Sequence, residues 1–340
     1  MTSSAAAVRV ALIGAGRIGK NHAEIVARRV PGAVLEAVVD PVDGAARALA
    51  DSLDVTKAYT SVDDALGDAD IDAVVISAPA RSHADLVVAS AGAGKHVFVE
   101  KPMAVTLEDA DRAITAAETA GVVLQVGFNR RFAPAFAAAR KAIDDGKIGT
   151  PQLLRSLTRD PGPFGGDPSR IPPWTIFFET LIHDFDTLLF LNPGAKAVRV
   201  TAVADALVRP DAKGSGHLDT AVVTVQFDNG AIATAEANFS ALYGYDVRGE
   251  VFGSEGMVTA GDGRSTNMTL YGAAGLHVDT ARSDTELLRS AYIGEFTAFV
   301  DAIRFGTGSV VTGQDARAAL EIALACIRSV ETGAAVALEA

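Results

Sequence analysis

Residues 10–29 read VALIGAGRIGKNHAEIVARR, an apolar run, then three glycines spaced G-x-G-x-x-G at Gly14, Gly16 and Gly19, then a helix-like stretch. The run Val8–Ile13 has the aliphatic composition of a parallel strand covered on both faces. A glycine turn joining such a strand to a helix has a physical use. Gly14 permits the tight turn, Gly16 lets the backbone approach a pyrophosphate, and Gly19 allows close helix packing, while the helix N-terminus attracts negative charge. Arg17 and Ile18, between the last two glycines, belong to the same cradle. Asp40 ends the next strand, about 20 residues on, where an acidic residue binds the adenosine ribose hydroxyls and repels a 2′-phosphate. Pro41 follows and offers no phosphate site. The segment predicts dinucleotide binding with NAD preferred, Arg17 being the one feature that favours NADP.

Outward from that segment, Leu35–Val39, Ala73–Ser77 and His96–Glu100 read as further strands alternating with helices, and Val122–Val126 as the last. Thr106, three residues before Asp109, predicts a capping box with Asp in place of Glu, and Gly121 closes that helix. Beyond Phe132 the pattern changes. Val198–Val208, Asp219–Asp228 and Ala231–Ser240 follow one another without helices, and Asn229–Gly230 predicts a two-residue hairpin turn in an antiparallel sheet. Pro161–Pro173, rich in Pro and Gly, predicts a loop. Gly313–Thr332 predicts a closing helix terminated by Gly333. The expected organisation is a doubly wound Rossmann domain over 1–124 and a second α/β domain over 125–340, with the last helix packing back on the first.

Composition narrows the class. The chain has 340 residues, 49% of them hydrophobic, enough for two cores. Thirty Lys and Arg against 42 Asp and Glu give a net charge of −12, which disfavours nucleic acid and anionic membranes as partners. The solitary Cys326 forms no internal disulfide and fits a reducing cytoplasm. No apolar stretch has the length of a membrane span, and the N-terminus lacks the basic start of a signal peptide, so a cytoplasmic location is expected.

GKHVFVEKPMAVTLEDA at residues 94–110 closely resembles the signature of the glucose-fructose oxidoreductase and inositol dehydrogenase (Gfo/Idh/MocA) family. The resemblance continues through SAPARSH (77–83), QVGFNRRFAP (125–134), LIHDFD (181–186) and YGYDVRGEVFGSEGM (243–257), and so spans nearly the whole chain in order. The last segment and GFNRRF are most similar to inositol dehydrogenases. Membership implies a Rossmann domain, a C-terminal α/β domain on a large open, mainly antiparallel sheet, and hydride transfer between NAD(P) and a polyol or sugar. It also implies a homodimer or homotetramer joined through that sheet.

Carried over residue by residue, the family's catalytic lysine falls on Lys101. A cation beside the reacting hydroxyl lowers its pKa and holds it, whereas without the family Lys101 reads as a surface lysine. Glu100, Ser77, Pro79 and His83 fall on the cofactor side, His83 with a structural reading equally open, and Asn129 and Arg130 fall near nicotinamide and substrate. The catalytic histidine falls on His183, a residue type suited to accept a proton from a secondary alcohol, though a lone histidine on an apolar helix more often belongs to the core. Asp184 and Asp186 do not share one helix face with it, so no metal is expected. Tyr243 and Tyr292 fall on substrate-side positions.

The chain departs from the family at two places. Glu179 stands where an aspartate usually precedes the histidine by four residues; it keeps the carboxylate and the i, i+4 spacing, so a catalytic pair with His183 is expected. Pro173–Trp174–Thr175 replaces a Ser-Gly-Gly run. Trp174 either offers a sugar ring an apolar face, narrows the pocket, or caps the core. Three functions follow from the resemblance: an NAD-dependent dehydrogenase of an inositol-like polyol, a glycoside hydrolase using transient oxidation, and a non-catalytic NAD(P)-binding sensor. Intact Lys101 and His183 argue against the third.

Overall fold

The computed structural model describes residues 6–162 and 172–338. Contacts divide the chain into two compact units, Met1–Asn129 with Ser290–Arg317 and Arg130–Arg289 with Ala318–Ala340. In the first, β1 (Val8–Ile13), β2 (Ala33–Val39), β3 (Lys57–Tyr59), β4 (Ala73–Ile76), β5 (His96–Val99) and β6 (Leu124–Val126) pair in parallel. Their order is β3-β2-β1-β4-β5-β6. This is the doubly wound order, and its switch point falls between β1 and β4, where such sheets bind ligands beyond the strands' carboxyl ends.

Local chemistry sets the element ends. Thr106 Oγ1 accepts the Asp109 amide at 3.1 Å, as the capping pattern predicts. The shorter Asp109 side chain does not complete the reciprocal bond; it accepts the Thr106 hydroxyl at 3.0 Å instead. Gly121 and Gly333, at φ +66° each, end their helices in the left-handed conformation that glycine adopts without strain. The edge strand β3 escaped sequence analysis because it is three half-buried residues headed by Lys57, which pairs with Glu36 and Asp68 at 3.0 and 2.8 Å. A lysine on a short edge strand blocks further pairing but leaves no apolar run to read.

The second unit is built on β7 (Pro151–Arg159), β8 (Ala197–Asp205), β9 (Thr220–Phe227), β10 (Ile232–Asn238), β11 (Asp246–Gly253) and β12 (Met257–Ala260). After a separate hairpin of β13 (Thr269–Gly272) and β14 (Gly275–Val278), β15 (Val336–Ala337) completes a seven-stranded sheet in the order β12-β11-β7-β10-β9-β8-β15. Only the β7–β10 pair is parallel. The β9–β10 hairpin differs from the expected two-residue turn. Gly230 donates to Phe227 O at 3.0 Å and Phe227 donates to Ala231 O at 3.0 Å, so three residues form the loop. Gly230 has φ +88° while Asn229 has no positive φ, which fits a turn followed by a left-handed glycine bulge and excludes type I′. Apart from its ends, the predicted loop Pro161–Pro173 lies outside the described residues. Among the described residues, no helix is long and apolar enough to cross a membrane.

Candidate active site

The glycine turn sits at the switch point of the parallel sheet. A Cβ on Gly14, which has φ +100°, would lie 2.7 Å from Ser77 O, and one on Gly19 would lie 1.9 Å from Gly14 O. Both positions are closed to any side chain. At Gly16 a Cβ would meet nothing within 4 Å, so this is the open side of the turn. The helix Arg17–Arg29 begins there with no side-chain cap and no acidic residue in its first turn, leaving its N–H groups for an anion. Arg17 is exposed and Ile18 half-buried at its head. An open glycine before an uncapped helix end fits a dinucleotide pyrophosphate.

The surrounding residues hold this turn in place. Ser77 Oγ donates to Gly14 O at 2.9 Å, tying β4 to the turn. Asp40 accepts the amides of Ala15 and Val42 at 2.7 and 2.8 Å, one on each oxygen, so the predicted ribose acceptor also fixes the glycine loop. Pro79 is exposed after β4. The buried His83 lies 2.7 Å from Ala78 O and 2.8 Å from Pro102 O, bridging the segments that follow β4 and β5.

Glu100 and Lys101 follow β5. Lys101 is half-buried, and its peptide bond to Pro102 is cis. Glu100 is buried, with Oε1 2.6 Å from His22 Nε2 and Oε2 accepting the Lys101 amide at 3.1 Å. Burial alone would raise the Glu100 pKa, but the His22 hydrogen bond and nearby positive groups hold it below the usual carboxylate range. Glu100 thus anchors the backbone of Lys101. The Oδ1 of buried Asn129 has no hydrogen-bond partner among the described residues, an acceptor available to a ligand donor. Tyr292, expected on the substrate side, is 4% exposed, with its ring 5.6 Å from that of His22.

In the second unit Arg130 is buried and held by internal partners. It is 3% exposed, and its guanidinium donates to Asp184 Oδ1 at 2.8 Å and to Thr158 Oγ1 at 2.6 Å. Asp184, fully buried, also accepts Ser156 Oγ and Thr158 Oγ1 at 2.6 and 2.7 Å. Arg131 pairs with Asp186 at 2.6 Å in the same way. These ion pairs fasten the helix Ile182–Phe190, which carries His183 half-buried in its first turn.

Immediately before that helix, Ile176–Leu181 is a π-helical turn with Glu179 exposed on it. The predicted i, i+4 pair therefore spans a change of helix type rather than one α-helical face. Such turns are frequent at functional sites. Trp174 enters the turn at φ +64°, a conformation that strains a bulky residue, held by its N–H to Gly216 O at 2.9 Å and by stacking on Phe177 at 6.3 Å. Tyr243 is more than half exposed; burial of its remainder and its 2.9 Å hydrogen bond to Asp246 push its pKa up.

A six-stranded Rossmann sheet with an open glycine turn and an acidic residue following β2 defines a dinucleotide-binding protein. Residues 8–128 match the oxidoreductase family with an NAD-binding Rossmann fold, and residues 136–259 match the GFO/IDH/MocA C-terminal domain. The chain belongs to this GFO/IDH/MocA family of NAD-binding oxidoreductases. It is 36% identical to the NAD(+)-dependent scyllo-inositol 2-dehydrogenase of Bacillus subtilis, covering 98% of this chain and 96% of that one. It is likewise 36% identical to the myo-inositol 2-dehydrogenase of Thermotoga maritima, covering 98% and 99%. The scyllo-inositol dehydrogenase of Lactobacillus casei, solved with NAD(H) and scyllo-inositol, superposes with a TM-score of 0.89 at 28% identity, over 97% of this chain and 99% of that one.

Sequence reasoning missed His22 as the partner of Glu100 and the pairing of Arg130 with Asp184. His22 and Glu100 are 78 positions apart and Arg130 and Asp184 are 54 apart, and no local pattern joins them.

Proposed function

We propose that the chain is an NAD-dependent dehydrogenase that oxidises one ring hydroxyl of an inositol-like cyclic polyol. The observation that carries this reading is the likeness, over 98% of the chain, to an enzyme named as an NAD(+)-dependent inositol dehydrogenase. When bound, NAD supplies the hydride acceptor. Lys101 holds the reacting hydroxyl and stabilises negative charge developing on its oxygen. His183 accepts the hydroxyl proton, and Glu179 orients the imidazole and favours its charged form. Trp174 offers its indole face to the ring carbons, and Tyr243, more than half exposed, lines the substrate side. Gly14, Gly16, Arg17, Ile18, Gly19 and Asn129 hold the cofactor, with Ser77 and His83 shaping their surroundings. Arg130 and Tyr292 act as buried supports.

Asp40 selects NAD, since its carboxylate repels a 2′-phosphate and Pro41 provides no countercharge. The chain assembles with further copies through the sheet of the second unit. That assignment rests on an exposed apolar row in which Ile232, Leu153, Phe252 and Met257 pair in register across β10, β7, β11 and β12. A cytoplasmic location rests on the single thiol, Cys326. The test is NADH formation with myo-inositol, scyllo-inositol and a panel of aldoses. NADH accumulation with an inositol supports the reading. Release of sugar from a glycoside without net NADH, and no oxidation of any inositol, would overturn it.

A further inference from the structure

Glu295 lies on the helix Arg289–Phe305 in the first unit, fully buried, and neither carboxyl oxygen has a hydrogen-bond partner among the described residues. Its main-chain carbonyl accepts Gln125 Nε2 at 2.8 Å, which ties this residue to β6. Its carboxyl points into the cluster behind Lys101: one side-chain atom each of His22, Glu100 and Glu295 lies within 4.8 Å of the others. The wall is aromatic, with Phe296 at 4.5 Å from Phe98 and 4.8 Å from His22 between ring centres.

Two carboxylates this close in a dry wall do not both carry charge. Glu100 is the one that does, because it accepts the Lys101 amide and pairs with His22. His22 faces the pair from the first helix and Tyr292 lies one turn earlier on Glu295's own helix, while Lys101 and His83 act on Glu100. Burial, and then the charge of Glu100, hold Glu295 well above the usual carboxylate range.

We propose that Glu295 is a positioning residue for Lys101: carrying a proton, it fills the space behind Glu100 without repelling it and keeps the Glu100 carboxylate on His22 and on the Lys101 amide. The proposal rests on the reading of Lys101 as the residue at the reacting hydroxyl, so its first test is independent of turnover.

Because the folded chain holds this proton more tightly than the unfolded one, wild-type stability is full below the unfolded value, about pH 4.3, and falls as pH rises through the folded value. Glu295→Gln, an uncharged isostere, lacks that dependence. Urea titrations across pH 5 to 9 should show the wild-type unfolding constant rising relative to the variant's by up to about tenfold per pH unit. Glutamate-carboxyl 13C NMR on the wild type reads the same proton without any variant. In turnover, wild-type kcat/KM should fall on the alkaline side as Glu295 ionises, and Glu295→Gln should keep its rate there with KM for NAD unmoved. Parallel pH dependence of the two proteins, or a carboxyl ionised at neutral pH by NMR, overturns the proposal. So does a stoichiometric divalent metal in the wild type that Glu295→Gln loses. If Lys101 itself proves dispensable for turnover, the stability difference remains while the alkaline limb does not follow Glu295, which separates the two failures.

Discussion

Replacing Arg130 with Met separates a substrate-binding arginine from a supporting one. In the structure its guanidinium makes two hydrogen bonds, to Asp184 Oδ1 at 2.8 Å and to Thr158 Oγ1 at 2.6 Å, and faces a carboxylate with no solvent exposure. Methionine fills much of the volume but leaves Asp184 with only the Ser156 and Thr158 hydroxyls. Removing one partner of a buried ion pair costs about 3–5 kcal/mol, because the remaining charge is uncompensated. With a urea slope near ~3 kcal/mol/M, that lowers the unfolding midpoint by about 1–2 M. Replacing Asp184 with Leu in the same chain removes the stranded charge, so the double variant should be no less stable than Arg130→Met alone. The assay is equilibrium urea unfolding of the four proteins in the cycle, with KM and kcat for the polyol in parallel. A wild-type midpoint for Arg130→Met combined with a raised polyol KM would refute the supporting role and restore the arginine to the substrate.

Lys101→Met should lower kcat by about 100-fold or more while calorimetry shows NAD binding little changed, since the pyrophosphate is held at the glycine turn. His183→Ala should lose turnover on a similar scale, ~100-fold; Glu179→Gln, on an exposed residue, should lose less, about tenfold or under in kcat. Asp40→Ser should reduce kcat/KM for NAD and raise the NADP-to-NAD ratio; because Asp40 also holds the Ala15 and Val42 amides, it should lower the melting temperature as well. Unchanged cofactor preference would remove Asp40 from the ribose.

Much of the first unit was legible because its information is local. A strand, a glycine turn and a helix are contiguous, so Gly14, Gly16 and Gly19 declare both the bend and its open side. Thr106 and Gly121 mark their helix for the same reason. What could not be read was set by residues distant in the chain or by backbone irregularity. The π-helical turn at Ile176–Leu181 has no periodicity of its own in so short a stretch, and the positive φ of Trp174 is held by Gly216, 42 positions on. Asn229–Gly230 suits a two-residue turn after β9, yet the same glycine also suits the three-residue loop and bulge that form there.

The direction a motif residue faces is the part that only burial decides. Arg130, Tyr292 and Glu100 all stand in segments that resemble ligand-binding ones, and all three are under a tenth exposed. Their placement has a common physical sense. Lys101 follows Glu100, whose carboxylate is fixed by His22; His183 precedes Asp184, whose carboxylate is fixed by Arg130. Each proposed reacting residue is therefore the chain neighbour of a buried, paired carboxylate, and inherits a backbone position that its own partly exposed side chain does not determine. Productive geometry tolerates errors of only about 0.5 Å, which a flexible lysine or a histidine in the first turn of a helix does not meet alone. Burying the charge one residue away fixes the backbone from which the reacting side chain extends. This accounts for a buried ion pair such as Arg130–Asp184, whose net contribution to stability is otherwise small.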